Sequence, residues 1–159
     1  MKSKNIMELR FLSLSQNEGF ARSVAGAFAA QLNPTVEEIA DIKTAVSEAV
    51  TNAIVHAYPK QIGDIRMTAA LQDGSVTVTV QDFGVGISDI DEARQPFFST
   101  AGDEARSGMG FTVMETFMTS VAVESKPGDG TTVRMVKKIG RQNGTTTKNA
   151  AAGASKKDG

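Results

Sequence analysis

The 159-residue chain contains no cysteine. Disulfides, thiolate metal centres and cysteine nucleophiles are therefore excluded, and the composition suits a reducing compartment. No apolar run approaches the roughly 20 residues that a membrane-spanning helix needs. The first residues also lack the apolar core of a signal peptide. The expected location is cytoplasmic, with no membrane partner. A Gly-x-x-x-x-Gly-Lys-Ser/Thr phosphate loop is absent as well. Histidine occurs once, at His56.

What is present suits one folded domain. The chain is 40% hydrophobic and 22% charged, and long enough for a substantial core. The net charge of −1 is unevenly spread. Six of the 17 basic residues, but one of the 18 acids, lie from Lys137 onward, leaving positions 1–136 at −6. An acidic domain is a poor match to nucleic acid, so no direct nucleic-acid partner is expected. From about Ile139 the chain runs to Gly, Asn, Thr, Ala, Ser and Lys, which cannot bury a core. The expected organisation is one domain over 1–138 and a disordered basic tail over 139–159.

Along the domain, residues 6–14 alternate loosely and predict a strand. Ser15-Gln-Asn-Glu18 reads as a capping box that opens a helix to about Gln31, broken at Asn33-Pro34-Thr35. Thr35-Val-Glu-Glu38 caps a second helix to about Ala57, with Ile39, Ile42, Val46, Ala49, Val50 and Ala53 as its buried stripe. Strands over 63–72 and 75–81 meet at Asp73-Gly74, a hairpin signal. A stretch over about 88–106 has little apolar periodicity, and loops of that length in compact domains are usually functional. A helix from Gly110 to about Thr119 and strands over 121–125 and 131–137 complete the pattern. It predicts a two-layer α/β (α+β) sandwich, a mostly antiparallel sheet with helices on one face.

Three short motifs carry the chemistry. On the second helix Glu48, Asn52 and His56 recur every four residues and share a face. An Asn amide oxygen is a hard, neutral ligand suited to Mg²⁺, which takes its other ligands from water and phosphates. Glu48, one turn earlier, is placed to hold a metal-bound water or accept a proton. Asp82 ends a strand and is followed by Gly84 and Gly86, so its carboxylate can accept from an adenine amine beside permissive backbone. Ser107-Gly108-Met109-Gly110 reads as a helix opening, where free amides attract phosphate, with Arg106 just before it. Thr131 offers a hydroxyl near the same nucleotide. Asp82-Phe83-Gly84 also imitates the metal motif of protein kinases, but that family's other signatures are missing.

In this order the motifs resemble the Bergerat-fold (GHKL) ATPases, the superfamily of gyrase, histidine kinases and MutL. Glu48 to Asn52 looks like the N box, Asp82-x-Gly84-x-Gly86 the G1 box and Gly108-x-Gly110 the G2 box, with a mobile ATP lid between the last two. The segments Ser47-Glu-Ala-Val-Thr-Asn-Ala-Ile54, Glu92-Ala-Arg-Gln-Pro96 and Arg106-Ser-Gly-Met-Gly-Phe111 are similar to the small anti-sigma serine kinases. Phe11, Asn17-Glu18 and Phe20-Ala-Arg22 extend the likeness, which covers roughly residues 4–137.

The resemblance implies a homodimer that binds ATP or ADP with Mg²⁺, sequesters a sporulation sigma factor and phosphorylates a serine of an anti-anti-sigma protein. Residue by residue, it makes Glu48 and Arg106 catalytic and Asn52 the Mg²⁺ ligand. It makes Asp82, Gly84, Gly86, Ser107, Gly108, Gly110 and Thr131 nucleotide-binding, and Arg22 partner-binding. Two positions depart from the pattern. The lid reads Ser99-Thr-Ala-Gly-Asp103 where a Thr-Lys-Pro-like stretch is expected, and Ala57 stands where a glycine is expected. The alternatives are a nucleotide-gated sigma-binding module with little kinase activity, or a stress-response anti-sigma kinase.

Overall fold

A computed structural model of the chain describes residues 4–87 and 104–140, and for 104–109 the backbone alone. The segment expected to form the lid, 88–103, and the basic tail from 141 lie outside the described residues.

The strands β1 (Asn5–Leu12), β2 (Asp64–Gln72), β3 (Ser75–Asp82), β4 (Ser120–Lys126) and β5 (Gly130–Lys138) form one antiparallel sheet in the order β1-β2-β3-β5-β4. Three helices, α1 (Gln16–Ala29), α2 (Val36–Asn52) and α3 (Glu104–Phe117), cover one face. This is the expected two-layer sandwich. The sheet is patterned with period two. Ile65, Met67, Ala69 and Leu71 of β2 and Val76, Val78, Val80 and Asp82 of β3 point into the core, while their neighbours in sequence are only half-buried or exposed.

Local chemistry explains most boundaries. Asp73 and Gly74 both take positive φ, 53° and 76°, as a tight two-residue hairpin turn requires. Asn33 adopts the left-handed conformation and ends the turn after α1. Thr35 caps α2 as expected: its hydroxyl accepts from the Glu38 N–H at 3.0 Å, and the Glu38 carboxylate accepts from the Thr35 N–H at 2.9 Å. α2 is the central helix, packed between α1 and α3 and lying on β3. It buries Ile42, Val46, Ala49 and Val50, with Ile39 half-buried at its start.

Three expectations change. Ser15 is not half of a capping box: it sits in the helical region and makes no side-chain cap. Glu18 turns across to α2 instead, accepting from the Ser47 hydroxyl and from Arg22. The third helix begins at Glu104, not Gly110, so Gly108 and Gly110 lie inside it. Helix-compatible residues with a glutamate at the positive end of the dipole extend it upstream. Lastly, packed chain continues past β5. Ile139 is 1% exposed and donates its N–H to the Gly74 carbonyl, and the Gly140 N–H reaches Glu38 at 2.7 Å.

Glu38 therefore joins the start of α2 to the end of the sheet. Burial pushes its carboxyl up, but the Thr35 and Gly140 amides, the Thr35 hydroxyl and Lys137 outweigh this and hold it below the ordinary value. Such a group stabilises the fold fully above its unfolded pKa and loses that contribution as pH falls toward its folded one. Glu38→Gln should accordingly flatten the acid limb of urea midpoint against pH. Ile139→Ala should cost about 2–5 kcal/mol in urea unfolding at neutral pH, the usual range for emptying a buried isoleucine site.

Candidate nucleotide site

α2 ends at Asn52 and continues as a π-helical turn, Ala53–Ala57, a local widening often found at functional sites. The turn delivers the Ala57 carbonyl to the Val85 N–H at 3.0 Å. Tyr58 follows, buried, with its hydroxyl donating to the Asp64 carbonyl at 2.6 Å and accepting from the Phe83 N–H at 2.7 Å. Two contacts thus fix the segment after Asp82 against the end of the α2 helix.

Asp82 is 6% exposed. Its Oδ1 accepts from the Gly84 N–H at 3.0 Å and from the Thr131 N–H at 3.1 Å. Among the described residues Oδ2 receives no hydrogen bond. Burial pushes the Asp82 carboxyl above its ordinary pKa, with the two amides partly opposing the shift. The backbone around it is too tight for side chains. A Cβ on Gly84 would fall 2.0 Å from the Ala57 carbonyl oxygen. Gly86, at φ 79°, would meet the Lys126 carbonyl oxygen at 2.1 Å.

A cleft opens between α2 and the end of the sheet. Asn52, His56, Ala57, Asp82, Gly86 and Thr131 line it, with Val80, Ile87, Phe111 and Val133 as apolar walls. Asn52 and Asp82, thirty positions apart in the chain, therefore face one cavity. At the α3 side, Glu48 and Asn52 converge on Gly110. A Cβ there would lie 3.0 Å from Asn52 Nδ2 and 3.2 Å from Glu48 Oε1. Asn52 Nδ2 is buried and has no hydrogen-bond partner among the described residues. An unpaired buried amide is uncommon and costly, and marks a group waiting for a ligand.

The donor set fits a hydrated Mg²⁺ that arrives with phosphates. Among the described residues no group of three or more His, Cys, Asp or Glu side chains could hold a metal. An ion taking most ligands from phosphate and water needs no such cage: the Asn52 amide oxygen supplies one ligand, and its unpaired N–H group suits a phosphate oxygen.

Asn52, Asp82, Gly86 and Thr131 thus share the cleft, Gly84 lies beneath it, and Glu48 and Gly110 meet at its edge. Arg106, Ser107 and Gly108 fall on the first turns of α3, and their side chains lie outside the described residues. Because α3 starts at Glu104, the Gly108 and Gly110 amides follow the four free amides of the first turn. Arg22 is not in the cleft. It lies on α1 and pairs with Glu18 at 3.1 Å. Sequence reasoning missed Tyr58 and Ser125, each of which joins near neighbours to a distant segment, Phe83 for Tyr58 and Ile87 for Ser125. Gly130 reads as the end of a turn, and its close approach to Asp82 is not foreseen from the sequence. Gly130 takes φ 101°, and a Cβ there would meet the Asp82 carbonyl oxygen at 2.2 Å.

Such a sandwich, with its cleft under the central helix, defines a histidine kinase-like ATPase domain. Residues 13–137 match the family described in those words, and that family binds nucleotide in this domain. Similar structures agree in fold. The RsbU and RsbW domains of a Mycobacterium tuberculosis protein superpose with a TM-score of 0.61 at 21% identity, over 85% of this chain and 32% of that one. A histidine kinase domain from Erythrobacter litoralis gives a TM-score of 0.52 at 20% identity, over 82% and 71%. The sequence narrows the class. The anti-sigma F factor of Caldanaerobacter subterraneus is 62% identical over 89% of this chain and 99% of its own length. That of Bacillus subtilis is 50% identical over 87% and 95%. The chain belongs to the anti-sigma F factor family.

The Asp82 environment makes a prediction. A carboxyl whose folded pKa is raised destabilises the fold once pH exceeds its ordinary value. Asp82→Asn keeps an oxygen for the Gly84 and Thr131 amides but removes the buried charge. Its melting temperature at neutral pH should equal or exceed that of the wild type, while calorimetric binding of ADP should weaken at least about tenfold, the scale of one charge-assisted hydrogen bond.

Proposed function

We propose that the chain holds a sporulation sigma factor inactive and uses Mg-ATP to phosphorylate a serine of an anti-anti-sigma protein. The observation that carries this reading is the cavity shared by Asn52 and Asp82. One end offers an amide oxygen for a metal, and the other offers a buried carboxylate for a base. Membership of the anti-sigma F factor family supplies the partner class.

In this reading Asp82 accepts from the adenine amine, and Gly84, Gly86 and Thr131 form the floor and wall beside it. Asn52 holds Mg²⁺, whose chemistry when bound is to neutralise phosphate charge. Gly110 lets α3 approach that end closely, and Ser107 and Gly108 on the same helix bind the phosphates. The partner's serine oxygen forms a bond to the γ-phosphorus, and the bond from that phosphorus to the β,γ-bridging oxygen breaks, releasing ADP. Glu48 accepts the serine proton, and Arg106 balances the charge on the transferring phosphoryl group. Arg22, held on α1 by Glu18, contacts the protein partners. The working form is a homodimer in the cytoplasm. No helix among the described residues is long and apolar enough to cross a membrane, which accords with that setting.

Purified protein, Mg-ATP and the antagonist protein should yield one phosphoserine on the antagonist by mass spectrometry. Glu48→Ala should reduce the transfer rate at least about a hundredfold, the scale of general-base catalysis, with nucleotide affinity changed little. Sigma-factor binding without any phosphoserine would instead identify a nucleotide-gated binding module.

A further inference from the structure

The pairing of β4 with β5 sets Ser125 opposite Thr131 at the cleft end of the sheet. Thr131 in turn donates its N–H to Asp82. Ser125 itself does not line the cleft, yet its hydroxyl makes three contacts. The Ile87 N–H lies at 2.7 Å, the Gly130 carbonyl oxygen at 3.0 Å and Thr131 Oγ1 at 2.7 Å.

A hydroxyl has one proton to give and two lone pairs to receive. The Ile87 amide can only donate, and the Gly130 carbonyl can only accept. The serine proton therefore goes to Gly130, and its lone pairs take the Ile87 N–H and the Thr131 O–H. This is the arrangement in which all three contacts are satisfied. Thr131 has then committed its only proton to Ser125, and what its oxygen retains is lone pairs. Beside it stands the Asp82 carboxylate, which is also an acceptor.

We infer that Ser125 is a positioning residue that fixes the hydrogen-bond polarity of the base end of the cleft, making it a row of acceptors. Where both acceptors meet the C6 substituent, such a row takes an exocyclic amine, which has two N–H groups to give, and rejects a carbonyl there, because acceptor would face acceptor. This rests on the reading above, in which the cleft binds a nucleotide with its base at Asp82. It adds a residue outside the cleft that controls which base enters. A purely mechanical role for Ser125, as a clamp on the chain at Ile87, would weaken every nucleotide alike. A polarity role changes the preference between two bases of the same size.

Binding of ADP and of inosine diphosphate to the full chain, with Mg²⁺, separates these roles by titration calorimetry. The wild type should prefer ADP. Ser125→Ala frees the Thr131 proton to meet a C6 carbonyl, so the preference should fall about tenfold, the scale of one mismatched hydrogen bond. Ser125→Thr, which keeps the hydroxyl, should preserve it. Thr131→Val should also lower the preference, and adding Ser125→Ala to it should change nothing further. Equal weakening of both ligands in Ser125→Ala, or an unchanged ratio, overturns the polarity assignment. Should Ser125→Ala not fold, an unchanged ratio in Thr131→Val does so. A wild type that binds the two ligands equally overturns the placement of the base at Asp82, and one that binds neither overturns the nucleotide reading itself.

Discussion

The Asp82 carboxylate ties the end of β3 to the start of β5, two pieces of chain that sequence keeps far apart. One oxygen accepts amides from Gly84, just beyond β3, and from Thr131, at the start of β5. A charge taken out of water needs such partners, since burial alone would drive it to the neutral form. The glycines follow from this knot. Gly84 must pass under the Ala57 carbonyl, Gly130 must pass over the backbone of Asp82, and Gly86 must clear the Lys126 carbonyl. A side chain at any of the three would push the strand ends apart and open the cleft.

At the opposite wall the structure accepts a cost. Asn52 keeps a buried amide unpaired, and Gly110 forgoes a side chain so that α3 lies against it. These are poor choices for stability and sound ones for a site that must meet a ligand. The remainder of the fold offsets them. Lys137 lies between Asp41 and the Phe117 carbonyl, joining β5, α2 and the end of α3. Glu38 completes its capping box and also receives Gly140. The helix that presents the functional side chains is thereby anchored at its far end, through interactions that take no part in the cleft.

Much of this was legible in the chain. The hairpin at Asp73-Gly74, the cap at Thr35 and the buried stripe of α2 follow from local rules, because each depends on residues within a turn or two. The same holds for the motif glycines, whose spacing marks tight backbone. Ser15-x-x-Glu18 shows where local rules fail. The pattern is present, but Glu18 finds better partners in Ser47 across the helix pair and Arg22 one turn along its own helix. The start of α3 was misplaced for a related reason: glycine lowers helix propensity without forbidding a helix that its neighbours support.

The sequence by itself determined the element order, the alternation that gives the sheet its inner face, and the residue types able to bind a nucleotide. Those are properties of spacing and chemistry, carried by the chain whatever its path. Only the tertiary structure decided that Asn52 and Asp82 look into one cavity, that Tyr58 clamps Phe83, and that Ser125 reaches Ile87. These contacts join positions separated by up to dozens of residues, and their geometry is set by strand register and helix packing, which no local pattern encodes.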